Sequence, residues 1–70
     1  MKVAEIVKSA RTKAGLSQAA LGEMVGAERV TVSRWESGAR SPHAAQLVRL
    51  LEVCGVQLQK ALEGEGADAR

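Results

Sequence analysis

The chain has 70 residues, a formal net charge of +2, and 46% hydrophobic against 26% charged residues, with Trp35 as its one aromatic side chain. That length holds one small domain and no second folded unit. A single cysteine (Cys54) and a single histidine (His43) exclude an intrachain disulfide and a Cys/His metal cluster, and no segment is long and apolar enough to span a bilayer. The opening residues, Met1-Lys2-Val3-Ala4-Glu5, lack the apolar run of a signal peptide, and one free thiol suits a reducing compartment, so a soluble cytoplasmic protein without metal or cofactor is expected. The charge is uneven: residues 1–49 carry eight Lys/Arg against four Glu, and residues 50–70 carry two against four acids. The front of the chain is therefore the half suited to facing phosphates.

The apolar residues are mainly Ala, Leu and Val, without the alternation of a half-buried strand. An all-α fold is predicted, a compact five-helix domain over residues 1–63 with a flexible tail at 64–70. The first helix runs from about Val3 to Ala14, with Val3, Ile6, Val7, Ala10 and Ala14 on one face and Gly15 as a left-handed stop. Ser17 caps a second helix that reaches about Val25 and turns Leu21 and Val25 inward. Gly22, a poor helix former, marks a place where another backbone passes close by. After Gly26 a third helix extends from about Glu28 to Ser37-Gly38. Val32 and Trp35 define its buried side, and Arg29, Val30, Ser33 and Arg34 share the other.

Ser41-Pro42 has the signature of a helix start. The fourth helix then runs to about Val53, with Leu47, Leu50, Leu51 and Cys54 inward and Gly55 as its stop. A short fifth helix, about Gln57 to Leu62, presents Val56, Leu58 and Leu62, and residues 64–70 have no apolar anchor.

Residues 16–38 carry the functional signal: two short helices about a glycine turn, the second apolar on one side and basic and hydroxylic on the other. Such a helix can rest on a small core while it enters a DNA major groove. Enzymatic chemistry has no comparable support. There is no Ser/His/Asp set and no glycine loop to cradle phosphate, and Glu23 and Glu28 have no partner acid or base.

The run Arg11…Gly15-Leu16-Ser17-Gln18…Leu21…Val25-Gly26…Thr31-Val32-Ser33-Arg34-Trp35-Glu36-Ser37-Gly38…Pro42…Leu47…Leu50-Leu51…Gly55-Val56 resembles the lambdoid phage repressor/Cro-like helix-turn-helix family, the regulators of xenobiotic response element type. The resemblance covers residues 3–62. It implies a lambda-repressor-like domain that binds double-stranded DNA as a homodimer on a palindromic operator, with half-sites ~34 Å apart. Carried over position by position, Arg29, Val30, Ser33 and Arg34 become base contacts, and Gln18 a backbone and base contact. Apart from the resemblance, Lys13, Ser37 and Arg40, with Ser17 and Thr31, are expected contacts to the DNA backbone, which set affinity and not sequence preference. Arg11 and Glu36 match an ion pair joining the first helix to the end of the third, and Val56, Leu58 and Leu62 mark the dimer surface.

Three positions depart from the family pattern. Glu28 replaces the small hydroxyl residue that caps the recognition helix, Gly22 replaces an alanine, and the Ala39-Arg40-Ser41 loop is short. Plainer readings stand beside the functional ones. Arginines are mostly solvated, Val30 also suits a protein partner, and a lone His43 at a helix start is usually a surface residue. Trp35, Cys54 and Met24 read as core or filler. The expected function is transcriptional regulation, as a repressor. The alternative is an antitoxin-like module that binds and neutralises a partner protein and autoregulates its operon.

Overall fold

The computed structural model describes residues 2–68, and among these there are four helices and no strand. Helix α1 (Val3–Lys13) carries Glu5 in its first turn and Arg11 and Lys13 in its last, signs that complement the helix dipole. Helix α2 (Gln18–Val25) begins at the Ser17 cap, whose Oγ accepts the Ala20 N–H at 3.0 Å. Helix α3 (Arg29–Ser37) begins at Glu28, whose side chain makes no cap hydrogen bond. Helix α4 (Ala44–Asp68) is 25 residues long.

These elements meet over one core. Val7 of α1, Leu21 of α2, Val32 of α3 and Leu50 of α4 are wholly excluded from solvent, with Trp35 and Cys54 nearly so. Val3, Ala10, Ala14, Leu16, Val25, Ala27, Leu47 and Val53 pack around them. Complete burial of a Val or Leu side chain is worth about 1.5–3 kcal/mol, so every helix is held by at least one such anchor. Burial raises the Cys54 thiol pKa above its ordinary value, which leaves it an inert core group.

The tight passage from α2 to α3 depends on two glycines. Gly26, at φ 73°, supplies the left-handed cap of α2. At Gly22 the chain doubles back: the Ala27 N–H donates to the Gly22 carbonyl at 2.8 Å. A Cβ placed on Gly22 would lie 2.4 Å from the Ala27 carbonyl oxygen. The close backbone approach expected at Gly22 is therefore present.

Three expectations about the C-terminal half are corrected. The fourth and fifth helices are one, because Gly55 lies inside α4 and is not among the positive-φ glycines. An interior glycine costs a helix about 1 kcal/mol relative to alanine, which does not break it unless the backbone leaves helical space. Helix α4 runs to Asp68, into the stretch 64–70 read as a tail, and residues 69–70 lie outside the described residues. The start of α4 falls after Pro42, which is buried, and its cap is not Ser41. Instead the His43 N–H donates to Gln46 Oε1 at 3.0 Å and the Gln46 N–H donates to His43 Nδ1 at 3.2 Å. This reciprocal pair satisfies two backbone donors at once, as a capping box does. Leu51, expected inside, is 40% exposed, because Leu50 takes the core-facing position beside it.

Candidate nucleic-acid interface

Val32 and Trp35 fix one side of α3 in the core, which turns the opposite side outward. Arg29, Val30 and Arg34 are exposed, and Ser33 and Thr31 are half-buried. Val30 is a β-branched side chain 40% exposed among polar neighbours, an arrangement that costs burial unless something apolar meets it. Among the described residues the one ion pair uses Arg11, so the guanidinium groups of Arg29, Arg34 and Arg40 have no carboxylate partner. Each of them is free to meet an anion or a base edge.

The base of α3 is held by a polar cluster reaching across three elements. Arg11 donates from Nε to Glu36 Oε2 at 2.5 Å and from Nη2 to Glu36 Oε1 at 3.0 Å, while its Nη1 donates to the Leu16 carbonyl at 2.8 Å. Gln18 Nε2 donates to Glu36 Oε1 at 3.2 Å. The two charged side chains are only 14% and 6% exposed. Hydrogen bonding to Glu36 raises the Arg11 pKa despite its partial burial. For Glu36 burial pushes the carboxyl up, but hydrogen bonds from Arg11 and Gln18, with the charges of Arg11 and Lys8, outweigh it and hold the group below its usual range. The cluster ties α1 and the N-terminus of α2 to the last turn of α3, so the outward side of α3 is held to the core.

Gln18 therefore spends its amide on Glu36, a partnership its sequence position did not reveal, although Ser17-Gln18 at a helix start was expected to face DNA. Ser17 is exposed, with its Oγ engaged in the α2 cap. Lys13 is exposed at the end of α1. Ser37 donates to the Arg34 carbonyl at 3.1 Å and accepts the Ala39 N–H at 3.4 Å, and the Arg40 N–H also reaches the Arg34 carbonyl at 3.2 Å. These bonds curl the loop back beneath α3. The loop brings Arg40 and Ser41 alongside Thr31, Arg34, His43 and Gln46 as the lining of an open cleft of about 350 Å³. Thr31, Arg34 and Arg40 thus share one depression, whereas Lys13 and Arg29 do not line it. His43 and Gln46 were not among the expected site residues. The signal that points to them is the His-x-x-Gln spacing of a reciprocal helix cap.

Val56, Leu58 and Leu62 are exposed on α4 by 54%, 36% and 53%. Among the described residues no group of three or more His, Cys, Asp or Glu is placed to hold a metal ion, and no helix is long and apolar enough to cross a membrane.

Comparison with known proteins agrees with this geometry. A family profile described as helix-turn-helix matches residues 7–60. The chain is 33% identical over 61 residues to Repressor protein C2 of Salmonella phage P22, across 87% of this chain and 28% of that repressor. It thus spans little more than a quarter of the length of the relative it matches. No solved structure matches the chain. With an anchored second helix, an outward basic face and this match over most of its length, the chain belongs to the lambdoid repressor/Cro-like helix-turn-helix family.

Proposed function

We propose that this protein is a sequence-specific DNA-binding transcriptional regulator, a repressor, working in the cytoplasm on a palindromic operator as a homodimer. The observation that carries the reading is the division of α3. Val32, Trp35 and Glu36 lock one side to the rest of the domain, and Arg29, Val30, Ser33 and Arg34 are left on the other. A helix so held can enter the major groove without losing core contacts. Arg29 and Arg34 then offer bidentate donors to guanine, and Val30 offers a methyl contact to thymine. Thr31, Ser37, Arg40, Ser17 and Lys13 serve the phosphates, which position the domain without reading sequence. Gln18 adds a contact where its second amide hydrogen is free of Glu36. One module of this size buries little surface on DNA, which is why the reading includes a second copy, with Leu58, Leu62 and Val56 as its candidate surface.

The test is selection from a random duplex pool at near-physiological salt, with Arg34→Ala and Arg40→Ala in parallel. Enrichment of a palindrome is expected. Arg34→Ala should relax preference at one base pair per half-site, at a cost of about 1–3 kcal/mol. Arg40→Ala should weaken all sequences alike and lower the salt slope by about one. Weak, salt-sensitive binding without sequence preference would overturn the reading and favour a protein partner.

A further inference from the structure

His43 holds a position that the DNA-binding reading does not use. Its Nδ1 accepts the Gln46 N–H at 3.2 Å at the start of α4, so the neutral ring carries its proton on Nε2. The same ring lines the open cleft with Arg34 of α3 and Arg40 of the loop. Among the described residues these two guanidinium groups are the charged partners in that lining, and no carboxylate joins them. His43 is also the one histidine of the chain, and histidine is the side chain whose charge ordinarily changes between about pH 5 and 8.

Protonation changes this ring in two ways. At Nδ1 it replaces an acceptor lone pair by an N–H, and an N–H that faces the Gln46 N–H cannot keep that hydrogen bond. It also adds a third positive charge to a cleft that already holds two, at the positive end of the α4 dipole. Both changes cost the free chain stability. A bound duplex reverses the second. The reading above sets Arg34 at base edges and Arg40 at phosphates, so DNA brings anions to this cleft, and an anion favours the charged ring as it favours the arginines.

We propose that DNA binding draws a proton onto His43, so that mild acid tightens the complex while it weakens the free fold. This is a regulation of the site described above and rests on the DNA-binding reading. The two equilibria share one proton. A duplex that raises the ring's affinity for a proton is itself bound more tightly, by the same factor, when the ring is charged. One proton limits that gain to about tenfold per pH unit. The charged ring also steepens the salt dependence of binding by about one phosphate contact. Opposite responses of stability and affinity to acid are the signature, because a ring that only caps α4 gives no gain in affinity when its cap is lost.

The test titrates the 70-residue chain with the duplex selected above between about pH 5 and 8, and follows the ring signals of His43 by NMR with and without DNA. Parent affinity should rise severalfold toward the acid end, and the ring should be charged in the complex at a pH where it is neutral in the free chain. His43→Asn keeps a side-chain oxygen able to cap α4 and removes the titration. It should lose the acid gain in affinity, and the free parent should lose more stability on acidification than this variant does. Gln46→Ala leaves in place the backbone N–H that Nδ1 accepts, so it should lower Tm and keep the acid gain. Parent binding that is flat or weaker in acid, an equal gain in His43→Asn, or ring signals that titrate alike in both states overturns the proposal and leaves the DNA-binding reading standing. A chain that binds no duplex at any pH overturns the DNA-binding reading, and this coupling with it.

Discussion

Replacing Glu36 by alanine tests whether α3 is held as described. Glu36 accepts two hydrogen bonds from Arg11 and one from Gln18, and its side chain is 6% exposed. Removing it leaves the Arg11 guanidinium, 14% exposed, with the Leu16 carbonyl as its remaining partner. Breaking a buried pair from one side costs about 3–5 kcal/mol. Because Arg11 keeps one acceptor and some solvent, the lower end applies, about 3 kcal/mol. In a domain whose total stability is on the order of 5 kcal/mol that is more than half. The matching fall in Tm is roughly 12–24 °C for a chain of this size. Urea and thermal unfolding followed by the emission of buried Trp35, with circular dichroism as a second probe, measure it.

The double variant Arg11→Met with Glu36→Leu removes both charges and should recover most of the loss, since well-packed apolar pairs commonly replace buried ion pairs at little cost. A loss below about 1 kcal/mol in Glu36→Ala, or a double variant no better than the single, would refute the reasoning. The same cluster predicts a pH dependence. The folded Glu36 carboxyl titrates below its ordinary value of 4.5, so the unfolded chain binds more protons in that window. The contribution of Glu36 is complete above the unfolded value and is lost as pH falls through the folded one. Acid titration of stability should show this slope in the parent and lack it in Glu36→Gln.

Gly22→Ala should destabilise, although alanine is the better helix former. The new Cβ meets the Ala27 carbonyl oxygen at 2.4 Å, and overpacking against backbone costs about 1–3 kcal/mol, read by the same unfolding curves. Glu28→Ser should both stabilise α3 and tighten DNA binding. It supplies the cap hydrogen bond that Glu28 does not make, worth about 1 kcal/mol, and removes a negative charge at the end of α3 that the proposed complex would set near phosphates. Gel-shift titration at two salt concentrations would show the affinity gain shrinking as salt rises. Gln46→Ala should cost about 1 kcal/mol through loss of the reciprocal cap with His43; an unchanged Tm would dismiss that cap as a stabilising element.

Much of the local fold around the candidate site is legible in the sequence, because its signals are local. Ser17, Gly26 and Gly38 mark helix ends through a hydroxyl that meets a free N–H or a backbone that only glycine adopts cheaply. Val32 and Trp35, three residues apart, declare the inward side of α3 and so the outward side of Arg29, Val30 and Arg34. These features depend on residues a few positions away, and composition and spacing carry them. His-x-x-Gln before α4 was equally local, but the stronger Ser41-Pro42 signature masked it.

Only the tertiary structure decided the rest. Gly55 looks like a stop in sequence, yet a glycine ends a helix only when its backbone leaves helical space, and at Gly55 it does not. Gln18 has several plausible partners in sequence. Folding brings Glu36, eighteen residues away, within 3.2 Å and so directs its amide. Leu50 and Leu51 are identical residues side by side, and one is wholly buried while the other is 40% exposed. Periodicity admits either as the core residue; the position of α4 over α1 and α2 makes the choice. Local spacing determines which helices form, whereas the face each helix buries, and the face it leaves for a partner, depends on contacts between residues far apart in the chain.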